Sequence, residues 1–373
     1  MHVACRSNNT DMLQLLVNFD GIDVNAVNGV GWTALHEASS KGNVAALKIL
    51  HRLKANPNIA DKEDWTPLHV AAAAGHTNVV ELLIDKFGGS IRARTRDGST
   101  LLHVAALSGH AETALVFLKR GVPLHMPNKR GALSLHCAAA AGFNDVVRML
   151  ISKGTNVDIR TRDNYTALHV AVQAGKASVV ETLLGYGANV DIHGGAIGET
   201  ALHIAASLTT EDAIDCAMML LKSGAQPNAA RNDGETALHI AASNPLPGMI
   251  QLLLSEGADP QITSARSESA LHVAARSCNS EAVSLILEHL AKQLSPHEIN
   301  EFVNARTAQA GWSPLMEACA LGHLGVARIL LQHHARVDVF DENGRTALHL
   351  AAANGHLELT DLLLKNKAFV NRF

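Results

Sequence analysis

A histidine that returns at nearly constant spacing constrains this chain more than any other feature. It closes a short word, Thr or Ser followed by Ala, Pro or Leu and then Leu, or a close variant of it, at His36, His69, His103, His136, His169, His203, His239, His272 and His349. Successive separations are 33, 34, 33, 33, 34, 36, 33 and 77 residues, and Met316 of Trp312-Ser313-Pro314-Leu315-Met316 fills the last interval in the same frame. A fixed period of this length means one supersecondary unit written repeatedly, with each copy packed only on its neighbours. Length alone, 373 residues, would suggest two or three globular domains. The period instead predicts a single array over 1–373 with about eleven units.

The stretch from Asp341 to Ala368 shows how a unit is built. Asp341 and Gly344 hold the first and fourth positions of a type I turn, the tip of a β-hairpin. Thr346 then offers its hydroxyl to a free helix N–H, and in two other copies Pro67 and Pro314 follow the cap, where a missing N–H costs nothing. The alanines of this first helix allow close approach of the next unit. Gly355 ends it, as Gly42, Gly75, Gly109, Gly142, Gly175 and Gly322 do in their copies, because glycine tolerates the left-handed backbone after a helix. A second helix carries a Val-x-x-Leu-Leu pattern at helical spacing, as at Val79–Leu83 and Val179–Leu184, and Gly154, Gly187, Gly224 and Gly257 close it. Aromatic residues are 3% of the chain, which suits thin stacked helix pairs better than a thick core.

The pattern breaks in identifiable places. Residues 1–28 form a partial first unit, in which Met1-His2-Val3-Ala4-Cys5 matches the core word but lacks a hairpin and cap. The last unit runs into Ala368-Phe369-Val370-Asn371, the entry to another hairpin. Neither end carries a polar capping unit, so the array is expected to be an excerpt truncated at both ends. Residues 203–315 are irregular. Three extra residues between His203 and His239 are expected to lengthen the link between helices near Leu208–Asp215. Eleven more between His272 and Met316 are expected to give a longer second helix and an extended loop through Glu288–Glu301. The copies starting at His203, His239 and His272 also lack the glycine that ends the first helix, which raises a local hinge as the alternative to tolerated insertions.

No constellation for catalysis, cofactor binding or metal binding is present: there is no nucleophile elbow, phosphate loop or H-E-x-x-H. The recurring histidines lie a full unit apart, so each imidazole is read as a structural pin tying its own cap or a neighbouring backbone group. His333 and His334 are adjacent and point apart on a helix. Five cysteines without C-x-x-C spacing suggest a reduced, intracellular setting. A formal charge of -4 points away from nucleic acid. No segment has the ~20 mainly apolar residues of a membrane span, and no signal peptide is evident. The hairpins are modestly basic, at Arg92, Arg94, Arg96, Lys129, Arg130, Arg160, Arg162, Arg231 and Arg306. Set in a row by the repeat, these charges form a candidate ridge for an acidic protein partner.

The period and the Thr-Pro-Leu-His-x-Ala word resemble the ankyrin repeat, which implies an all-α repeat solenoid with a helix-turn-helix and a β-hairpin per ~33 residues, wound as a superhelix. Several longer words also resemble the TRPN (no-mechanoreceptor-potential C) ion channels. They are Gly121-Val-Pro-Leu-His-Met-Pro-Asn-Lys129, Asp163-Asn-Tyr-Thr-Ala-Leu-His169, Val179-Val-Glu-Thr-Leu-Leu-Gly185, Met219-Leu-Leu-Lys-Ser-Gly-Ala225 and His334-Ala-Arg-Val-Asp-Val-Phe-Asp341. That resemblance runs over roughly Gly98 to Asn371 and includes His125-Met126-Pro127, which the repeat itself does not dictate. It implies a cytoplasmic tether and spring at the inner face of the plasma membrane, joining microtubules to the pore of a tetrameric mechanosensitive cation channel, with neither pore nor enzyme activity in this segment. Arg372-Phe373 depart from the family's continuation into a further repeat. The alternative is a cytoplasmic ankyrin-repeat scaffold that binds protein partners through its concave face and hairpin tips.

Overall fold

The computed structural model describes residues 1–19 and 21–370; Asn371, Arg372 and Phe373, on which the expected further hairpin turns, lie outside them. The chain divides into two compact units, Met1–Ala188 and Asn189–Phe373, and each is a stack of helix pairs. The first unit pairs α1 (His2–Arg6) with α2 (Thr10–Val17), α3 (Ala34–Ser40) with α4 (Val44–Arg52), α5 (Pro67–Ala73) with α6 (Thr77–Asp85), and α7 (Leu101–Leu107) with α8 (Ala111–Lys119). It continues with α9 (Ser134–Ala141) and α10 (Asn144–Ser152), then α11 (Ala167–Gln173) and α12 (Ala177–Gly185). The second unit pairs α13 (Ala201–Ser207) with α14 (Glu211–Lys222), α15 (Ala237–Ala242) with α16 (Pro247–Ser255), and α17 (Ala270–Arg276) with α18 (Ser280–Ala291). After the inserted α19 (Pro296–Val303) come α20 (Pro314–Leu321) with α21 (Leu324–Gln332) and α22 (Ala347–Ala353) with α23 (Leu357–Lys365).

First helices pack on first helices of adjacent repeats, as α7 does on α9 and α17 on α20, and each also packs on its own second helix. The small residues make this approach close: Ala71, Ala105, Ala138, Ala171 and Ala274 are fully buried, with Leu35, Leu83, Leu150 and Phe117 filling the space between layers. A buried leucine and its neighbours contribute ~2 kcal/mol each by removal of apolar surface from water, so the core is a string of similar small cores.

Three details differ from the sequence expectation. The three residues added after His203 do not lengthen a link: residues 208–210 separate α13 from α14 just as 74–76 separate α5 from α6, and α14 has 12 residues where α6 has 9. The addition after His272 is not an extended loop. It lengthens α18 to 12 residues and then folds into α19, whose entry is a capping box in which Ser295 N–H donates to Glu298 Oε2 at 2.8 Å. The hairpins carry no extended strands among the described residues; each recorded pairing is a single antiparallel bridge, such as Arg94 with Thr100 or Phe340 with Thr346. A turn bond closes each tip, Gly344 N–H to Asp341 O at 3.0 Å being one.

The missing helix-ending glycines are replaced in more than one way. Cys278 adopts a φ of 58° where other copies place glycine, whereas Leu208 leaves α13 in an extended conformation.

Candidate protein-interaction surface

The histidine ring closes the helix in which it sits. In nine repeats the backbone N–H of the cap residue, Thr33, Thr66, Thr100, Leu133, Thr166, Thr200, Thr236, Ser269 or Thr346, donates to Nδ1 of the histidine three residues on, at 3.0–3.2 Å. Nδ1 therefore presents its lone pair, which leaves the proton on Nε2 and the ring neutral. Nε2 then donates to the next repeat: His36 to Trp65 O at 3.0 Å, His103 to Ala132 O at 2.9 Å, His136 to Ile159 O at 3.0 Å, His239 to Glu268 O at 3.0 Å and His272 to Ala305 O at 3.1 Å. His203 reaches Glu235 O at 3.2 Å. One ring thus caps its own helix and fastens the following layer. In the His69 layer Nε2 is buried without a partner.

In seven of these rings burial penalises the imidazolium, so they stay neutral well below ordinary histidine. Desolvation pushes His69, His136, His203 and His272 down to about 4, and it lowers His36, His103 and His239 as well. Where Met316 takes the ring's place, Ser313 Oγ still accepts Met316 N–H at 3.4 Å, and the Trp312 indole donates across to Asp341 Oδ2 at 3.3 Å.

A second set of pins was not anticipated from the sequence. The residue before the second helix reaches back to the carbonyls that end the preceding first helix: His76 to Ser40 O at 3.1 Å, His110 to Ala73 O at 3.0 Å and His323 to Arg276 O at 3.1 Å. In two of the three copies without glycine an amide does this work. Asn244 Nδ2 donates to Ala206 O at 3.0 Å and Leu208 O at 2.8 Å, and Asn279 Nδ2 donates to Ala242 O at 3.2 Å and Asn244 O at 2.7 Å. Stacking bonds therefore continue through 203–315 within the second unit. The legible signal is the Gly-His pair at Gly75-His76, Gly109-His110, Gly322-His323 and Gly355-His356, which lies outside the Leu-His word.

The hairpin tips are joined by one backbone bond per layer. Arg96 N–H donates to Glu63 O at 3.0 Å, Lys129 N–H to Asp97 O at 2.9 Å and Arg162 N–H to Arg130 O at 3.1 Å. The same bond recurs in the second unit, from Ala265 N–H to Asp233 O at 2.8 Å and from Ala308 N–H to Arg266 O at 2.9 Å. This ladder brings seven of the nine ridge residues to one stretch of the first unit: Arg92, Arg94, Arg96, Lys129, Arg130, Arg160 and Arg162 are all exposed there. Arg96 pairs with Glu63 at 3.0 Å, and Lys129 Nζ donates to Arg96 O at 2.6 Å. Arg231 and Arg306 do not join them. Arg231 is held by Asp233 at 2.8 Å and Glu235 at 2.7 Å, and Arg306 donates to Gly311 O at 3.0 Å while its guanidinium lies 5.5 Å from the Phe340 ring centroid.

Between these hairpins and the first helices of the same unit runs a groove. Two adjoining cavities of about 300 and 430 Å³ share Asp97, Leu107, Asn128 and Cys137; Trp65 and Val104 line the first, and Tyr165 and Val170 the second. Leu107 is 54% exposed on its floor, a large apolar side chain left for contact. Burial raises the Cys137 thiol to about 12, which keeps it protonated at neutral pH.

The family description "Ankyrin repeats (3 copies)" matches residues 41–128, 115–194, 135–231, 191–264 and 289–373, and "Ankyrin repeats (many copies)" matches residues 1–51. The chain belongs to the ankyrin-repeat family. This ankyrin-repeat chain resembles the crystal structure of the human ASB11 ankyrin repeat domain, with a TM-score of 0.54 and 29% identity over 61% of this chain and 100% of that one. It is 36% identical over 93 residues to the putative ankyrin repeat protein YahD of Escherichia coli, covering 24% of this chain and 43% of that protein. It is 47% identical over 53 residues to the SMC5-SMC6 complex localization factor protein 1 of Bos taurus, covering 14% of this chain and 5% of that one. The ankyrin-repeat chain thus spans less than half the length of these two relatives, 43% of one and 5% of the other. No helix among its described residues is long and apolar enough to cross a membrane.

Proposed function

We propose that this ankyrin-repeat chain is a protein-interaction scaffold that seats a partner segment in the groove of its first unit. The carrying observation is the arrangement around Leu107: an exposed apolar floor, flanked by Trp65 and Tyr165 and rimmed by Asn128 and the charged hairpin tips. Apolar centre and polar rim are the anatomy of a recognition surface. The rigid ladder of tips fixes that rim in advance, which lowers the ordering cost of binding. The reading assigns binding to this segment and no reaction.

Selection of binders from a random peptide library, followed by an amide-exchange footprint, tests it. Protection around 104–107, 137–140 and 165–170 that disappears in Leu107→Arg, with unchanged helical circular dichroism, is the expected result. A footprint on the second helices, or binding indifferent to Leu107→Arg, overturns it.

A second reading is a tether of a TRPN-type channel, at the cytoplasmic face of the membrane, with cytoskeletal partners and tetramerisation supplied by the intact protein. It rests on the words quoted above, His125-Met126-Pro127 in particular. Six apolar spans encoded beyond further repeats would support it; a different downstream domain would remove it.

A further inference from the structure

The charge of this chain is distributed unevenly. The whole sequence has 31 Lys and Arg against 35 Asp and Glu, yet residues 86–162 carry 12 against 4. Much of that excess lies on the hairpins, where the tip ladder puts Lys62, Arg96, Lys129 and Arg162 at the same turn position of four successive repeats. Arg94 and Arg160 stand two residues before that position in their own repeats, and Arg130 one residue after it. In the second unit the matching positions hold Asn232, Ala265, Ala308 and Glu342, so the row is a property of the first unit alone.

Two of the anions nearby are already engaged. Glu63 is paired with Arg96, and Asp97 accepts from its own turn, from Ser99 N–H at 3.2 Å and Ser99 Oγ at 2.8 Å. Arg130 and Arg162 have no side-chain hydrogen bond or ion pair among the described residues. Cations are left over along a backbone-tied edge.

We propose that this row docks an extended acidic segment of a partner protein, with carboxylates three residues apart. Neighbouring layers of packed helices stand about 10 Å apart, and a segment extended as polyproline II turns once per three residues and advances about 3.1 Å per residue, so every third side chain faces the row and meets the next tip. Asp97 and Asp163, at the turn position beside the row, disfavour a continuous anion such as a phosphodiester backbone and favour a chain whose intervening residues are neutral. The proposal rests on the interaction-scaffold reading and adds a second contact edge to it.

The test uses the full chain and a fluorescent twelve-residue peptide with Asp at every third position and Gly, Ser or Asn between, compared with a peptide of the same composition whose four Asp are adjacent. Fluorescence anisotropy at low ionic strength is expected to show preference for the spaced peptide. Binding should weaken about tenfold or more in Arg130→Glu with Arg162→Glu, with strong sensitivity to salt. Lys119→Glu with Lys153→Glu, at exposed positions ending α8 and α10, changes net charge equally and is expected to alter binding less than twofold. Equal weakening in both pairs, equal binding of the two peptides, or tighter binding of a dT twelve-mer overturns the proposal. Leu107→Arg tests the groove separately, so the failure of one leaves the other standing.

Discussion

Lowering the pH from 7 to 5 should destabilise both units strongly, and the histidine pins set the size of the effect. Each ring is neutral in the fold and free to protonate when the chain unfolds. The folded values for His69, His136, His203 and His272 are depressed to about 4 by burial, against ~6.5 for an unfolded histidine. A depressed folded value means that the stabilisation is fully present above about pH 6.5 and is lost as pH falls from there towards 4. Between pH 7 and pH 5 each such ring costs about 1.8 kcal/mol by linkage. The first unit holds two of these rings and the second holds two, so each loses about 4 kcal/mol. His36, His103 and His239 add in the same direction. Carboxylates contribute little in this window, because an unfolded Asp or Glu is still largely ionised at pH 5. Glu317, raised by its burial, opposes the trend in the second unit, leaving the first as the cleaner gauge. Urea unfolding followed by circular dichroism at pH 7, 6 and 5 measures the change. The ring signals of the buried His69, His136, His203 and His272 in the folded protein should stay largely untitrated across the same interval. A stability that is flat or rises towards pH 5, or buried rings that titrate near 6.5, would refute the argument that they are desolvated acceptors.

Two substitutions probe the stacking directly. Gly131→Ala places a Cβ 2.6 Å from the Arg162 nitrogen at a φ of 76°, on the tip ladder, and should cost about 2 kcal/mol or more; Gly154→Ala, at a φ of 100° with nothing within 4 Å, should cost only about 1 kcal/mol, and equal losses in thermal unfolding would show that backbone conformation alone decides. Asn244→Ala removes two amide bonds to the end of α13 and should cost about 1–3 kcal/mol, with faster amide exchange over 201–222; protection unchanged there would mean that the substitute pin carries no load.

The parts of the fold repeated in most copies were legible in the sequence: the Thr cap, the buried Leu-His word and the glycine turns each follow from local backbone chemistry. Departures from the repeat were less legible because spacing counts residues without saying which element absorbs them. The three added after His203 enter α14, where one more turn face can be buried, whereas a longer link would leave backbone groups to be satisfied by water. α19 is signalled by Ser295-Pro296-His297-Glu298, a capping box that the spacing between repeats cannot reveal. The basic ridge was half legible. Sequence places Arg231 and Arg306 on hairpins like the others, but only the structure shows Asp233, Glu235 and Phe340 occupying them.

Because six of the capping rings take their second partner from a residue well downstream, as His36 does from Trp65, the order of synthesis bears on folding. A repeat leaving the ribosome has its own threonine but not yet the carbonyl that its imidazole will hold. It can settle only provisionally until the next hairpin emerges, and that hairpin in turn waits for its successor. Assembly of such a chain is a relay with a built-in lag of one repeat, and the most recently made repeat is always the one most open to proteolysis or to capture by a chaperone.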